Sequence, residues 1–411
     1  MRKWRMIAGM LGGCMLAASG CTGDTGTKPE NEEPITLTYM VPGYGSNSYA
    51  GYEQFMKIEE EHPDIHFEVQ VYSEEQYYAT LKTRLATGCG TDLFFVQPEY
   101  GGANGVASLA QAGYLEPVDD IDVVRENREK LDDSYFLSYE DHIYSVSIGT
   151  MGLGVVYNKA VFADCNLELP TNWKEFLECC EIMKKQNIQP VAVSGKDANT
   201  LQYGVYQIAA NRIYRRNPNF NEELRKGTAH FTDAGTWDEV LKMFTGLYEE
   251  GYLGENSMEN ASADAIDIVS AKKAGMMFAG TGEAKNYMKA EEELGFFLLP
   301  AQEKNETPLV CRGEIGGISI YADSAHKEKC KELLNDVYEE EIKDKTAQLE
   351  EFSALFPDIK GLTGNTYVPL CNQGWNNTVE HVLETKLGEY LSGGDITIRE
   401  ITEAMQKELE K

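Results

Sequence analysis

The chain has 411 residues, 42% of them hydrophobic, and at usual domain sizes this length predicts a globular protein with two lobes or domains. Its 67 acidic residues outnumber its 37 Lys and Arg, which gives a formal net charge of −30 at pH 7. A surface of this charge repels nucleic acid phosphates, so nucleic acid is excluded as a partner.

The first 21 residues have the three parts of a secretion signal: the basic start Met1–Arg5, the apolar run Met6–Ala18, and small residues that end at Cys21. Small residues before a cysteine resemble the lipobox of bacterial lipoproteins, and this resemblance implies a diacylated Cys21 as the mature N-terminus. Ala18 stands where Leu is commonest. The stretch LGGC ending at Cys14 is a competing match, but it leaves a much shorter apolar region, so we favour Cys21.

Residues 22–33 are polar and turn-forming, which predicts a flexible tether. No later segment has the roughly 18 consecutive apolar residues of a membrane span. We therefore expect an exported, extracytoplasmic protein that a lipid holds at the cell membrane.

Seven cysteines follow Cys21 without regular spacing, which is poor support for a disulfide framework. No C-x-x-C occurs, and neither a metal nor a cofactor is expected. Cys179 and Cys180 are predicted to pack as small apolar side chains inside a helix.

Alternating apolar and polar residues predict the first strands. Ile35–Val41 and Ile65–Val71 alternate, and Leu93–Val96 is apolar throughout and so central. Two predicted helices separate these strands, one stopped by Pro63 and one closed at Gly88. Strand, helix, strand, helix, strand predicts a parallel sheet with both faces covered.

Two loops follow strands of this sheet, "PGYGSNS" after the first and "QPEYGG" after the third. Ligands of such sheets bind beyond the carboxyl ends of the strands. Glycines there allow the backbone to approach a ligand, and the helix after the second loop directs its first N–H groups to the same edge.

A second α/β series begins near residue 150. Strands are predicted at Leu153–Tyr157 and in the segments PVAVSG, GMMFAG, GFFLLP and GGISIYA. Helices are predicted in TNWKEFLECCEIMKKQ, where Asn172 and Glu175 have capping-box spacing, around Trp237, Leu241, Phe244 and Leu247, and over most of the last hundred residues.

In this order, several segments resemble the family 1 extracellular solute-binding proteins, the lipoprotein receptors of carbohydrate ABC importers. The matching segments are LATGCGTDLFFV, LAQAGYLEPVDD, IYSVSIGTMGLGVVYNKAVF, LPTNWKEFLECCEIMKKQNIQPVAVSG, LYEEGYL, AKKAGMMFAG and EIGGISI. They span about residues 35 to 340.

The resemblance implies an α/β protein with the two-lobed periplasmic-binding-protein fold of class II type, each lobe a mostly parallel sheet flanked by helices. Lobe 1 would comprise residues 34–146 and 306–340, and lobe 2 residues 147–305 and 341–411. Hinge crossings would fall near Val146–Gly149, Gln302–Pro308 and Glu340. A monomer is expected, whose closed shape the transmembrane subunits of an ABC permease would read.

Sugars are bound by aromatic faces together with amides and carboxylates that pair with hydroxyls. Gln97, Glu99 and Tyr100 combine both types within four residues, and the family places ligand contacts in this loop. The alternative for these three residues is an acidic surface loop.

The loop after the first strand and the entry to the second lobe supply further candidates by the same resemblance. Tyr44, Ser46, Asn47 and Tyr49 would contact ligand, the alternative being a solvated turn. Thr150 is preferred over Met151, since some relatives carry a carboxylate at the latter position.

The segment GMMFAGTGE matches a family segment that often ends in Gly-x-Trp, whose aromatic ring stacks on sugar. Gly282 occupies the tryptophan position here, which leaves Thr281 and Glu283 as candidate contacts or as helix caps. Trp375 and Asn376 lie in a polar loop, where Trp375 is expected to supply the missing stacking surface.

Arg312 and Glu314 either reach the cleft or pair with each other, and we favour the cleft. A catalytic site has little support, because the six His are scattered and neither H-E-x-x-H nor G-x-S-x-G occurs.

The leading hypothesis is a lipid-anchored receptor that captures a sugar, in particular an oligosaccharide, for a permease. Its rivals are a receptor of the same fold for a polyamine, phosphodiester or metal complex, and a surface glycan-degrading enzyme.

Overall fold

The computed structural model describes residues 34–45, 48–98, 105–131, 135–196, 200–254, 257–290, 293–355, 367–372, 375 and 377–411. Within these ranges, no helix combines the length and the apolar character that crossing a membrane requires.

The strands and helices alternate along most of the described chain. The strands are β1 Ile35–Gly45, β2 Ser48–Tyr49, β3 Ile65–Tyr72, β4 Leu93–Val96, β5 Phe136–Tyr139, β6 His142–Val146, β7 Thr150–Asn158, β8 Gln189–Ala192, β9 Ala274–Gly280, β10 Leu294–Phe297, β11 Val310–Glu314, β12 Gly317–Ile320 and β13 Tyr367–Pro369. The helices are α1 Tyr52–Glu61, α2 Glu74–Ala86, α3 Val106–Gln111, α4 Asp122–Asn127, α5 Lys159–Asp164, α6 Trp173–Lys185, α7 Leu201–Ala209 continued by the π-helical turn Ala210–Tyr214, α8 Phe220–Arg225, α9 Trp237–Glu249, α10 Ser262–Ser270, α11 Thr281–Ala290, α12 Lys327–Leu355, α13 Asn377–Leu391 and α14 Ile398–Leu409.

The first sheet is built around β1. Its residue Tyr39 is paired with Val69 of β3 on one side and with Leu93 of β4 on the other, both in parallel. Strand β12 adds an antiparallel edge next to β4. Strand β4 is therefore internal, which explains why all four of its side chains are buried and apolar.

A core of apolar side chains surrounds this sheet and defines the first lobe. It takes residues from β1, β3, β4 and the β5–β6 hairpin, and then from β12 and α12 as far as Ile342. Tyr39, Phe55 and Phe67 form its aromatic centre, with Phe55 stacked on Phe67 and edge-on to Tyr39.

Asp92 links three distant segments of the first lobe. Its Oδ2 accepts from the backbone N–H of Thr38 at 2.8 Å and from the Thr38 hydroxyl at 2.7 Å. Its Oδ1 accepts from the Ser324 hydroxyl at 2.6 Å and lies 3.2 Å from His326 Nδ1. Burial raises the pKa of Asp92, but the hydrogen bonds from Ser324, Thr38 and His326 outweigh burial and hold the pKa below its ordinary value.

We expect Asp92→Asn to lower the free energy of unfolding by about 2 kcal/mol at pH 7, because charge-assisted hydrogen bonds are lost. A carboxyl whose pKa is lower in the folded state stabilises above its unfolded pKa and loses this effect as the pH falls through the folded pKa. The difference between variant and parent in urea denaturation should therefore shrink below pH 4. Asp323→Asn is the control, because Asp323 is exposed in the turn that contains Ser324. A difference between Asp92→Asn and the parent that does not change with pH would contradict the role of the charge.

The second sheet is mixed. Strand β7 is antiparallel to all three of its neighbours: β9 along one edge, and β10 and β11 along the other. Among the described strands of this sheet, parallel pairing is limited to β8 with β9 and β11 with β13. The expectation of a mostly parallel sheet therefore does not hold around β7, where neighbouring strands come from distant parts of the chain.

The first-lobe segment begins later than expected. Strand β11 pairs with β7 and β13, and its Val310 and Cys311 lie in cores of the second lobe. The expected start of this segment at residue 306 is thus wrong, since the chain enters the first lobe only after Glu314. Its expected end at 340 is also too early, because α12 runs unbroken through that point and Ile342 still packs in the first core.

An aromatic cluster occupies the centre of the second core. Trp375 lies edge-on to Tyr206, Phe231 and Trp237, with ring centroids 5.1–6.0 Å apart. Its indole N–H donates to Asn221 Oδ1 at 3.1 Å. Segments from across the second lobe therefore meet at this side chain.

Candidate functional site

Two extended segments cross between the cores and are hydrogen-bonded to each other. Ile148 N–H donates to Gly316 O at 2.8 Å, and Ile315 N–H donates to Gly149 O at 2.9 Å. This ladder continues into the β7–β11 pairing, where Thr150 lies opposite Glu314. We call the segments 147–150 and 314–317 the hinge strands.

The hinge strands bring together strand ends from both lobes. Gly317 pairs with Val96 at the end of β4 and with Ser147 at the first crossing. Across the hinge, Gly280 at the end of β9 pairs with Leu153 near the start of β7. The loop after β4, the start of β7 and the start of α11 therefore surround the same crossing.

Gly316 allows the close approach of the two lobes at this crossing. Its φ of +136° lies in a region that L side chains rarely adopt. A Cβ there would lie 2.4 Å from a ring carbon of Phe95 and 2.5 Å from Val96 O. A glycine is therefore required where the second hinge strand meets the end of β4.

The register of the ladder separates the candidate side chains onto two faces. Thr150 and Glu314 are directly opposite and share one face, and Arg312 lies on that face because it is two residues from Glu314. Met151, paired with Gly313, projects from the other face. Ile315 lies on this other face too, since its side chain is 2.9 Å from where a Gly149 Cβ would stand.

The first face carries a buried charged cluster. Arg312 Nη2 lies 3.2 Å from Glu314 Oε1 and donates to the Tyr135 hydroxyl at 3.0 Å, with its guanidinium 5.3 Å from the Tyr135 ring centroid. The Thr150 hydroxyl donates to Glu314 at 3.1 Å. Arg312 is 4% exposed and Glu314 6% exposed. The expectation that this pair reaches the cleft is wrong in this structure, because the two side chains pair with each other instead.

The second face is more open. Ile315 is 51% exposed, although it is large and apolar. Met151 is half-buried, with its sulfur 2.9 Å from where a Gly280 Cβ would stand. Gly282 is exposed, and a Cβ there would meet nothing within 4 Å. We define Met151 and Ile315 as the open hinge face. Ile315 was not among the candidates predicted from the sequence; the available signal was an apolar residue between Glu314 and two glycines.

The start of α11 is fixed by the two candidates that precede and follow Gly282. Thr281 is buried, and its hydroxyl accepts from Gly152 N–H at 3.1 Å. Glu283 Oε2 accepts from Gly280 N–H at 3.2 Å. Both side chains thus make local structural hydrogen bonds beside the open hinge face.

Gln97 directly follows β4 and pairs with Gly105, which closes the base of the loop between them. Its carbonyl accepts from Val106 N–H at 3.1 Å, and its side-chain amide donates to the Tyr78 hydroxyl. Below it, Tyr77 donates to Phe95 O at 2.5 Å, and burial raises the pKa of Tyr77 well above its ordinary value. Gln97 is half-buried at the start of this loop.

Several expected contacts lie where the structure gives no side-chain description. Tyr44 lies in β1 and Tyr49 in β2, but their side chains are outside the described part. Ser46, Asn47, Glu99, Tyr100, Asn376 and the lipidation candidate Cys21 all lie outside the described residues.

Trp375 requires a correction. The stacking surface expected at this residue is wrong for this structure, because the indole is 1% exposed and three aromatic rings cover it. Among the described residues, no cluster of three or more His, Cys, Asp or Glu is arranged to hold a metal ion.

Two cores joined by hydrogen-bonded hinge strands, with an open face between strand ends of both lobes, define a two-lobed binding protein. Residues 40–344 match the bacterial extracellular solute-binding protein family. The match covers well over half of the chain, and the chain belongs to this family.

The chain is similar to named relatives along most of its length. It is 23% identical over 342 residues to the multiple sugar-binding protein of Streptococcus mutans, a match that covers 81% of this chain and 78% of the relative. A chitin oligosaccharide binding protein has a similar structure, with a TM-score of 0.71, 22% identity and coverage of 92% and 98% of the two chains. A sugar transporter of Bacillus licheniformis in complex with stachyose has a TM-score of 0.66 and 17% identity, covering 91% and 99%.

Proposed function

We propose that this protein is the receptor of an ABC importer and captures a sugar, in particular an oligosaccharide, between its two lobes. The named relatives support a carbohydrate ligand: one is a multiple sugar-binding protein, one binds chitin oligosaccharide, and one was solved with stachyose. The protein delivers its ligand to permease subunits without altering it.

The observation that carries this proposal is the composition of the open hinge face. Exposed Ile315 and half-buried Met151 offer apolar surface to the C–H patches of a sugar ring. Half-buried Gln97, directly after β4, adds an amide, which can both donate a hydrogen bond to a hydroxyl and accept one from it. Apolar surface with a few polar groups suits a neutral polyol.

The charges on the described candidates argue against a cationic solute such as a polyamine. A dication in the cleft requires carboxylates that are free to face it. Glu314 is instead buried against Arg312 and Thr150, and Glu283 accepts from Gly280 N–H. The same contacts of Glu314 and Glu283 also disfavour a glycosidase, because its two carboxyl groups must both face the scissile bond.

Capture follows from the two-strand hinge. A ligand that contacts both lobes binds the closed arrangement more tightly and shifts the population toward it. The hinge strands permit this motion with small changes in backbone angles, while the cores on either side move as rigid bodies. The permease then recognises the closed, liganded form.

The lipid on Cys21 keeps the receptor near the permease. The full chain produced in a bacterial host should partition into the detergent phase. Cys21→Ser cannot be lipidated at residue 21, so after removal of its apolar leader it should partition into the aqueous phase. Cys14→Ser is the matched control. Anchoring lost in the Cys14 variant and retained in the Cys21 variant would assign the lipid to the earlier cysteine.

A thermal-shift screen of the full chain in mild detergent tests the ligand class. The panel is mono- and oligosaccharides, polyamines and amino acids. A ligand at a hundred times its dissociation constant stabilises by about 2.7 kcal/mol. A shift with polyamines and none with any carbohydrate would reject the sugar assignment, and new reducing ends on incubation with glycans would favour an enzyme.

We expect Gln97→Ala to weaken binding of the sugar found in that screen by about tenfold, the value of one hydrogen bond in a buried site. Stability should fall by no more than about 1 kcal/mol, since only the partly buried bond to Tyr78 is lost. Isothermal titration measures the first effect and urea denaturation the second.

The matched control is Gln186→Ala. Gln186 is exposed at the end of α6, next to the start of β8, and β8 runs parallel to β9, whose far end reaches the hinge. It therefore lies at the opposite end of the second sheet and should leave affinity unchanged. A large loss of stability in Gln97→Ala without loss of affinity would assign the residue to structure alone.

A further inference from the structure

Tyr135 is a buried aromatic residue that lies outside the apolar cores. It is 3% exposed, yet the cores formed by the described residues do not include it. Its ring centroid is 5.3 Å from the guanidinium of Arg312, and its hydroxyl accepts from Arg312 Nη2 at 3.0 Å. Both the ring and the hydroxyl of Tyr135 therefore contact a residue of the second sheet.

The contact between Tyr135 and Arg312 joins the two lobes. Tyr135 O accepts from Ser147 N–H at 2.9 Å, and the next residue, Phe136, packs in the first core. Arg312 lies in β11, where it is paired with Gly152 of β7 in the second sheet. When the lobes move, Tyr135 therefore moves with the first lobe and Arg312 with the second. We call this contact the interlobe latch.

The second lobe holds its half of the interlobe latch in a fixed position. Arg312 Nη2 lies 3.2 Å from Glu314 Oε1, and the Thr150 hydroxyl donates to Glu314 at 3.1 Å. Arg312 and Glu314 are both buried. A hydrogen bond from a charged donor is stronger than a neutral one, and more so away from water. Making or breaking the latch therefore changes the free energy difference between two arrangements of the lobes.

The interlobe latch and the open hinge face lie on opposite faces of the hinge ladder. Arg312 shares one face with Glu314, and Met151 and Ile315 project from the other. Bending that brings the lobes together over the open hinge face moves them apart on the opposite face. Arg312 is three residues from Ile315, or about 10 Å along an extended strand. A rotation of about 15° shifts an atom at this radius by about 2.5 Å, which is enough to break a hydrogen bond.

We propose that the interlobe latch stabilises the open arrangement of the lobes and breaks when they close. In this structure the latch is formed and Ile315 on the opposite face is 51% exposed, as expected of the open arrangement. The apparent affinity of a binding protein is its intrinsic affinity reduced by the fraction of closed molecules. Tyr135 therefore sets the affinity as a positioning residue, without contact to the ligand. This inference rests on the proposed function in taking the open hinge face as the side on which the lobes close.

Tyr135→Phe tests the proposal, because it keeps the ring beside Arg312 and removes only the oxygen that accepts the hydrogen bond. The ratio of closed to open molecules should rise about fivefold, the value of one hydrogen bond. Pulsed electron paramagnetic resonance measures this ratio in the full chain in mild detergent, as the distribution of distances between a spin label on each lobe. No ligand is added.

The spin labels are attached at Glu53→Cys and Lys196→Cys. Glu53 is exposed in the first turn of α1, beyond the carboxyl end of β1, and Lys196 is exposed beyond the carboxyl end of β8. These strands run parallel to β4 and β9, whose ends lie at the hinge, so closure shortens the distance between the labels. Cys89→Ser removes the exposed native cysteine, and the other described cysteines are buried.

Two further variants complete the test. Tyr139→Phe is the matched control, because it removes a hydroxyl from the turn end of the same hairpin, where Tyr139 pairs with His142, and it should leave the distances unchanged. Arg312→Met/Glu314→Gln breaks the interlobe latch from the second lobe without leaving a lone buried charge. It should shift the distances in the same direction as Tyr135→Phe.

Distances in Tyr135→Phe that are unchanged or longer would overturn the proposal. So would an equal shift in Tyr139→Phe, or a shift to shorter distances in only one of the two latch variants. Lower stability alone does not move the labels in the folded chain, so a purely structural role predicts no shift. Since no ligand is added, the result does not depend on whether the ligand is a sugar, which the thermal-shift screen decides separately.

Discussion

Trp375→Ala is expected to lower the free energy of unfolding by about 3–5 kcal/mol while leaving the affinity of the folded protein for its sugar unchanged within twofold. The indole packs against Tyr206, Phe231 and Trp237 and donates to Asn221. Truncation creates a large cavity and leaves the Asn221 oxygen with one donor fewer.

Denaturation with urea, followed by circular dichroism, measures the first effect, and titration well below the unfolding transition measures the second. Trp173→Ala is the control, because Trp173 is only half-buried and stacks on Phe176 alone among the aromatic contacts described. A loss of affinity above tenfold with stability intact would return Trp375 to the role of a stacking platform.

This residue illustrates what local sequence pattern can and cannot reveal. The polar neighbours in CNQGWNN indicated an exposed ring, yet burial of Trp375 is decided by aromatic residues 138 to 169 positions earlier in the chain. No periodicity within a window of ten residues contains that information. Segments whose own residues carry the signal, in contrast, were predicted well: the apolar run Leu93–Val96 is β4 with the same bounds.

Helix ends were predicted where the side chain itself supplies the cap. Asn172 accepts from Glu175 N–H at 3.2 Å, as the spacing indicated. Strand β11 was missed, however, because "VCRGE" contains a charged pair that resembles surface sequence. Its Arg312 and Glu314 are buried as partners, and a pairing of that kind depends on the fold rather than on either residue alone.

The position of the described candidate residues beside the hinge was predicted to the extent that it follows from strand ends. Gln97, Thr150, Met151 and Thr281 all lie around the hinge strands. The distribution of side chains between the two faces of the ladder was not predictable, because it depends on the register of β7 with β11. A one-residue shift in that register would exchange the buried charges with the open hinge face.

Arg312→Met tests the importance of the buried face, and we expect it to lower the free energy of unfolding by about 3–5 kcal/mol. Removing the guanidinium leaves Glu314 as a buried carboxylate without its cationic partner, and that loss greatly exceeds the worth of an exposed pair. The Tyr135 hydroxyl also loses its bond from Arg312, which joins the first lobe to the hinge.

Arg399→Met is the matched control. Arg399 makes a 2.7 Å ion pair with Glu403, but its side chain is 85% exposed, and an exposed pair contributes about 1 kcal/mol at most. The double variant Arg312→Met/Glu314→Gln should recover much of the loss, since it removes the uncompensated charge rather than half of a pair. If Arg312→Met is no more destabilised than Arg399→Met in chemical denaturation, the buried pair does not hold the hinge together. If the double variant is as unstable as the single one, packing of the Arg312 side chain, and not its charge, is what the hinge requires.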